Sequence, residues 1–377
     1  MKNQRSFVNV KSKKIVFVSN TSWYLSNFRT ETIDYFLDSG FEVHAVCGDD
    51  DLLGNFVNRG LIFHNLFIKL NSKNPFFEFI TFLNLFTILF KLRPDFCFSF
   101  TSKINLYTGL IYLKNCILVT NVSGLGRGYF VTGYLGKFLR HLFHVAFNRA
   151  DFVVLQNLED YKFCTNTLLL PPTKLSLTAG SGVDITRFNA NRVYTEKKIK
   201  FGFFSRLIEE KGILLLLEAC EALAGSFDFD IVVAGPYGLD SQMPQNVFAE
   251  RLDRIGGVYL GELKDVVSEM SSCDYVVLPS FYPEGTPKVL LEACALGCVI
   301  VTSDTPGCRE VAGTERGFIV APNSLHSLLE ALTHCLELDL DDRIRLSLKS
   351  IDHASRCFDV QDNVEIYTRI VSTLTAD

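Results

Sequence analysis

The chain has 377 residues, 48% of them hydrophobic, and a formal net charge of −5. That length suits two cores of about 150–200 residues each, and the composition excludes a disordered chain beyond the polar first dozen residues. Eleven cysteines, odd in number and scattered without metal-like pairs, exclude a disulfide scaffold and point to a reducing cytosol. Cys294 and Cys298 are four apart, but they flank the end of an apolar helix and read as core thiols.

The polar stretch from Met1 to Lys14 precedes an apolar run only a strand long, so no signal peptide is expected. Short apolar runs follow at 14–18, 41–46, 61–65, 96–100, 116–121 and 152–155. Helix-length segments fill the intervals, as at 29–37, 76–92 and 135–148. Strands alternating with helices predict a parallel sheet wrapped on both faces. The segment 76–90 is strongly apolar, but Glu78 and Asn84 interrupt it and it falls short of the roughly 20 residues a bilayer needs. A buried helix packed on the sheet is the expectation there. The segment 136–149 has Leu139, Leu142, Phe143 and Phe147 near one face, with Lys137, Arg140, His141 and His144 mostly elsewhere. Such a helix suits either a core contact or an anionic membrane surface.

Turn residues cluster from Ala179 to Tyr194 and predict a domain boundary near 190. Beyond it the pattern repeats, with strands predicted at 199–204, 230–234, 258–260, 275–278, 299–302 and 317–320. The fold class is therefore α/β, with two Rossmann-like, doubly wound parallel-sheet domains (1–190 and 191–360) facing a cleft at their carboxyl ends. A last helical segment, 361–377, is expected to pack back on the first domain. The charges are uneven: residues 1–190 carry 20 Lys and Arg against 13 Asp and Glu, and residues 191–377 carry 17 against 29. The basic half suits an anionic partner.

The most informative segment is Ser280-Phe-Tyr-Pro-Glu-Gly-Thr-Pro-Lys-Val-Leu-Leu-Glu-Ala-Cys-Ala-Leu-Gly297. Gly285, Thr286 and Pro287 read as a turn opening a helix, with Glu284 at its mouth and Glu292 just over one turn inside. Backbone N–H groups of Thr286, Lys288 and Val289 are placed to receive an anion, most often phosphate. A carboxylate beside such a site suits hydrogen bonds from sugar hydroxyls. Upstream, Arg206 and Lys211 stand five apart in Phe203-Phe-Ser-Arg-Leu-Ile-Glu-Glu-Lys-Gly212, just after a predicted strand.

With these motifs the chain resembles the retaining glycosyltransferases of family 4, which have the GT-B fold. The likeness runs from about Lys198 to Ile319. A weaker one in the first half, over 101–109 and 121–126, is to the subset acting on polyprenyl-diphosphate carriers in surface polysaccharide assembly. The resemblance implies that Arg206 and Lys211 hold the diphosphate of a nucleotide sugar, that Glu284 meets the donor sugar and that Glu292 meets the ribose. Gly285, Thr286, Lys288, Val289 and Leu263 complete the implied donor site. It also implies metal-independent transfer, with the departing phosphate taking the acceptor's proton. No cofactor is expected beyond a UDP-sugar co-substrate, such as UDP-N-acetylhexosamine. The acceptor would be a lipid-linked oligosaccharide of O-antigen or capsule type, met by Lys103, Arg127 and Arg29.

The implied setting is cytoplasmic, peripheral on the inner face of the membrane, with an anionic membrane surface as partner and no nucleic acid. Ser102 stands where many members of the family have a histidine, and the loop Ser19–Ser26 lacks their paired glycines. Two other classes fit the same residues. A sugar-nucleotide epimerase of this fold would need acids and histidines near the cleft, where His44 and His64 are the nearest histidines and both lie in predicted strands. A non-catalytic nucleotide-sugar-binding protein would bind UDP tightly without turnover.

Overall fold

The computed structural model describes residues 13–48, 51–70, 72, 74–111, 113–124, 133–189, 192, 194, 196–240, 242–282 and 285–373. Glu284 and Arg127 lie outside the described residues. The chain forms two compact units. The first comprises residues 1–155, 160–177 and 364–377, and the second 156–159 and 178–363.

Seven parallel strands build the first unit: β1 (Lys14–Thr21), β2 (Glu42–Gly48), β3 (Ile62–Asn65), β4 (Phe96–Phe100), β5 (Ile117–Val122), β6 (Phe152–Leu155) and β7 (Leu175–Leu177). Their order is β3-β2-β1-β4-β5-β6-β7. Side chains alternate faces along β1. Ile15 and Phe17 join one core with Phe36, Phe98 and Phe100, whereas Val16 and Val18 join another with Val46, Leu85 and Leu89. Both faces are covered, which is why the strands read as unbroken apolar runs. β7 is the strand the sequence did not announce, because Leu-Ser-Leu is too short to show a period. It completes the sheet, so the chain leaves the first unit after Leu177, ahead of residue 190, and returns to it at Val364.

The helix Val360–Thr373 supplies Tyr367 to the first core. Its ring meets Phe98 edge-on at 5.4 Å, and its hydroxyl donates to Asn121 Oδ1 at 2.5 Å. Asn121 in turn donates through Nδ2 to Ser99 O at 3.1 Å, so β4, β5 and this helix share one buried polar junction.

Two helices bury different shares of their apolar surface. Pro75–Leu92 starts where Asn74 accepts from Phe76 N and ends at Arg93 in the left-handed region, φ 49°. Thr81, Leu85 and Leu89 along it are buried, and Phe82, Ile88 and Leu92 pack partly against the same face of the sheet, as expected, but Phe76, Phe79, Leu83, Phe86 and Phe90 are exposed. By length and composition this helix is apolar enough to cross a membrane. The reverse holds for Gly133–Arg149. Its apolar side, with Phe143, Ala146 and Phe147, is consumed by a core that includes Val122, Val153 and Leu155. That face is not available to a membrane.

The second unit has six parallel strands: β8 (Ile199–Phe204), β9 (Phe229–Ala234), β10 (Gly257–Tyr259), β11 (Tyr275–Leu278), β12 (Val299–Ser303) and β13 (Gly317–Val320). They run in the order β10-β9-β8-β11-β12-β13. A single core cluster surrounds this sheet, with Phe201, Phe203, Tyr275 and Val277 among its centre. The order reverses between β8 and β11, and an open α/β sheet receives its ligands at such a reversal, beyond the strands' carboxyl ends.

Replacing Tyr367 with phenylalanine keeps the ring but leaves Asn121 Oδ1 buried without its donor. We expect a loss of about 1–3 kcal/mol in unfolding free energy, read as a lowered denaturant midpoint.

Candidate active site

Arg206 follows β8 directly. Its backbone is clamped on both sides: Ser205 N donates to Ala234 O at 3.0 Å, and Leu207 N to Pro236 O at 2.9 Å. Lys211 closes a short 3-10 turn, Glu209–Lys211, that ends at Gly212 with φ 78°. A Cβ on Gly212 would come within 2.3 Å of Pro279 O, so the loop after β8 touches the loop after β11. Hydrogen bonds tie the same two loops. Glu210 O accepts from Phe281 N at 2.9 Å and from Ser280 Oγ at 3.3 Å.

This junction aims Tyr282 at both cations. Lys211 Nζ lies 5.4 Å from the Tyr282 ring centroid and the Arg206 guanidinium 6.0 Å from it. Both sit over an electron-rich ring, which holds positive charge without neutralising it. Lys211 is 6% exposed, while Arg206 is open to solvent. Glu209 is engaged with Gln242. Tyr282 was not legible as a site residue, because an aromatic beside two prolines reads equally well as packing.

The helix Lys288–Ala295 begins after Pro287, which supplies no side-chain cap. Thr286 donates its hydroxyl to Gln156 O at 2.8 Å, so that side chain positions the turn. Gly285 is pressed from the other side: a Cβ on Gly307 would meet Gly285 O at 1.9 Å. Val289 and Leu263 are half-buried against the core. Glu292 places its carboxylate 3.7 Å from Lys288 Nζ. Burial raises the Glu292 carboxyl above the ordinary glutamate value, against the opposing pull of Lys288 and Arg187, and Asp265 adds to the rise. Arg187 and Asp265, paired at 3.0 Å, are therefore part of the surroundings of Glu292. Arg187 is set by an Asx turn in which Asp184 accepts from Thr186 N and Arg187 N. Neither residue had a sequence signal beyond being charged in a loop.

The structure thus brings Arg206, Lys211, Tyr282 and the loop leading to Thr286 to the β8–β11 reversal, each after a strand's carboxyl end. Two cations and a helix start suit a dianionic group, and a largely buried carboxylate suits hydroxyl donors.

The first unit treats its basic residues differently. Arg29 is 2% exposed, stacked over the Phe100 ring at 4.7 Å and donating to Tyr24 OH at 3.4 Å. Lys103 is bonded to Glu78 at 2.9 Å. Neither is presented to a ligand as the sequence suggested, because the aromatic core encloses one and an acid occupies the other. At the carboxyl ends of β1, β2 and β3 there is instead a cavity of about 410 Å³ lined by Asn20, Thr21, Asn65 and Asn84 among others. Asn20 Oδ1 is buried there without a hydrogen-bond partner. His44 and His64, hydrogen-bonded ring to ring at 2.9 Å with Glu42 on the far nitrogen of His44, pair across the middle of β2 and β3.

Residues 184–350 match the family described as Glycosyl transferases group 1. The N,N'-diacetylbacillosaminyl-diphospho-undecaprenol alpha-1,3-N-acetylgalactosaminyltransferase of Campylobacter jejuni is 26% identical, with 96% of this chain and all of that protein aligned. A glycosyltransferase from Rickettsia africae superposes with a TM-score of 0.75 at 17% identity, over 96% of this chain and 99% of that one. HepE from Anabaena, solved in complex with UDP and glucose, gives 0.74 at 18% identity over 97% and 100%. Both structures show the same two-unit fold.

A carboxyl whose value is raised in the folded state makes its charge a cost above that value and removes the cost as pH falls through it. Glu292→Gln should therefore raise the thermal midpoint at neutral pH, and the gain should shrink as pH falls through the carboxyl range. Scanning calorimetry of both proteins across that range checks it.

Proposed function

We propose that this chain, a glycosyltransferase carrying a group 1 domain, moves a sugar with retention from a UDP-sugar to a lipid-diphosphate-linked saccharide in surface polysaccharide assembly. The convergence of Arg206 and Lys211 on Tyr282, beside the uncapped start of Lys288–Ala295, carries this reading. Breaking the bond from the sugar's anomeric carbon to the diphosphate leaves an electron pair on a phosphate oxygen. Preorganised cations and helix-terminal N–H groups stabilise that developing charge without reorganising. The acceptor hydroxyl attacks from the face the diphosphate leaves, and its proton passes to the departing phosphate oxygen. No enzyme base and no metal is required in this scheme. Glu292 accepts from the ribose hydroxyls, and Glu284, by its place in the sequence, meets the donor sugar.

The relative from Campylobacter jejuni bears a lipid-diphosphate acceptor in its name, and HepE holds UDP; both support the assignment of substrates. The acceptor's saccharide enters the cavity lined by Asn20, Asn65 and Asn84, whose amides match sugar hydroxyls. The protein works at the cytoplasmic face of the membrane, where such a lipid is reached.

Arg206→Ala and Lys211→Ala should each lower kcat roughly 30- to 1000-fold, and wild-type turnover should persist in EDTA. Product is followed by mass spectrometry with a panel of nucleotide sugars and a detergent-dispersed lipid diphosphate. Intact turnover in the double variant would sink the proposal. Separately, Asn84→Ala should raise the acceptor KM while leaving UDP affinity unchanged, measured by steady-state kinetics and calorimetric titration.

A further inference from the structure

The helix Pro75–Leu92 carries two stripes. Thr81, Leu85 and Leu89 face the core, with Leu85 and Leu89 packed in a cluster that includes Val16, Val18 and Ile104. Phe76, Phe79, Leu83, Phe86 and Phe90 repeat at alternating steps of three and four, and all are exposed, from 39% to 65%. With about 3.6 residues per turn, the stripes lie roughly 140° apart. The outer stripe runs about 21 Å along the axis, and Phe67 and Leu70 are exposed on the segment just before the helix. A continuous apolar surface of this length marks an interaction site.

Charge selects the occupant. Residues 66–94 contain Lys69, Lys73, Lys91 and Arg93 against one acid, Glu78. That acid is turned to Lys103 and to the Tyr107 hydroxyl. Lys69 lies over the Phe77 ring at 3.8 Å, near the start of the helix, while Lys91 and Arg93 are exposed at its end. The apolar stripe is thus flanked by bases at both ends. A two-fold contact with a second copy would set like charges beside one another. An anionic leaflet would meet them with opposite charge.

We propose that the outer face of Pro75–Leu92 seats on an anionic lipid surface, Phe76, Phe79, Leu83, Phe86 and Phe90 entering the acyl boundary and Lys69, Lys91 and Arg93 meeting lipid phosphates. The helix lies in the interface and does not cross it, because crossing would strip Leu85 and Leu89 from the core. Asn84 on the same helix lines the cavity at the ends of β1–β3, together with Phe67 and Leu70. Seating the helix therefore holds that cavity beside the leaflet. The proposal rests on the transferase reading for its purpose, but on this surface alone for its geometry.

The test is co-sedimentation of the full chain with vesicles of phosphatidylcholine containing or lacking phosphatidylglycerol, in low and high salt. Wild type should bind the anionic vesicles and weaken in high salt. Phe79→Ser/Phe86→Ser/Phe90→Ser should lose at least about tenfold in partition, and Lys69→Glu/Lys91→Glu/Arg93→Glu should lose the preference for anionic lipid. Unchanged unfolding midpoints show that both variants are folded, and transfer to a detergent-dispersed acceptor is measured alongside. Wild type that transfers in detergent yet ignores vesicles overturns this proposal and leaves the transferase reading standing. Wild type that binds vesicles through the stripe without transferring supports it and sinks the reading. A dimer dissolved by the serine substitutions, with no vesicle binding, overturns it in favour of a second copy.

Discussion

The second sheet reverses its order between β8 and β11, and the loops leaving those two strands must be held together across the reversal. The Glu210 carbonyl does this by receiving both Phe281 N and Ser280 Oγ, and Gly212 permits it by leaving room for Pro279. A side chain at 212 would part the loops. Tyr282 then falls between Arg206 and Lys211, and two like charges are held near one ring with little flexibility left in their backbones. The rigidity lies in the main chain and the charge in the side chains, so the backbone fixes where the cations sit.

Electrostatic cost is visible around this junction. Lys211 is buried, and the Glu292 carboxyl is pushed upward by desolvation despite Lys288 nearby. Burying charged groups costs stability, and perturbed groups of this kind cluster at functional sites. The first unit shows the opposite arrangement, with Arg29 enclosed by Phe100, Tyr24 and Tyr367 and with Lys103 neutralised by Glu78. Its cavity is lined by asparagine amides, and its exposed apolar surface includes several phenylalanines.

Among the described residues, twelve of the thirteen strands were legible in the sequence, most plainly those buried on both faces, such as β4 and β11, which appear as apolar runs. β7 escaped for want of length. The charged motifs of the second unit were legible for a related reason: Arg206, Lys211 and Glu292 sit at fixed distances along the chain from strand ends, and spacing is a linear property. Tyr282, Arg187 and Asp265 were not legible, since their meaning depends on which loop lies across from them.

The two amphipathic helices show where the sequence stops. By itself it determined that 76–92 and 136–149 are helical and apolar enough to bury surface, and that two doubly wound sheets carry cations after β8. Only the tertiary structure decided that Phe143 and Phe147 are covered while Phe79, Phe86 and Phe90 are bare. Periodicity records which residues share a stripe, but a helix apolar nearly all round has more than one candidate stripe. The neighbours that claim one of them come from strands and helices distant in sequence.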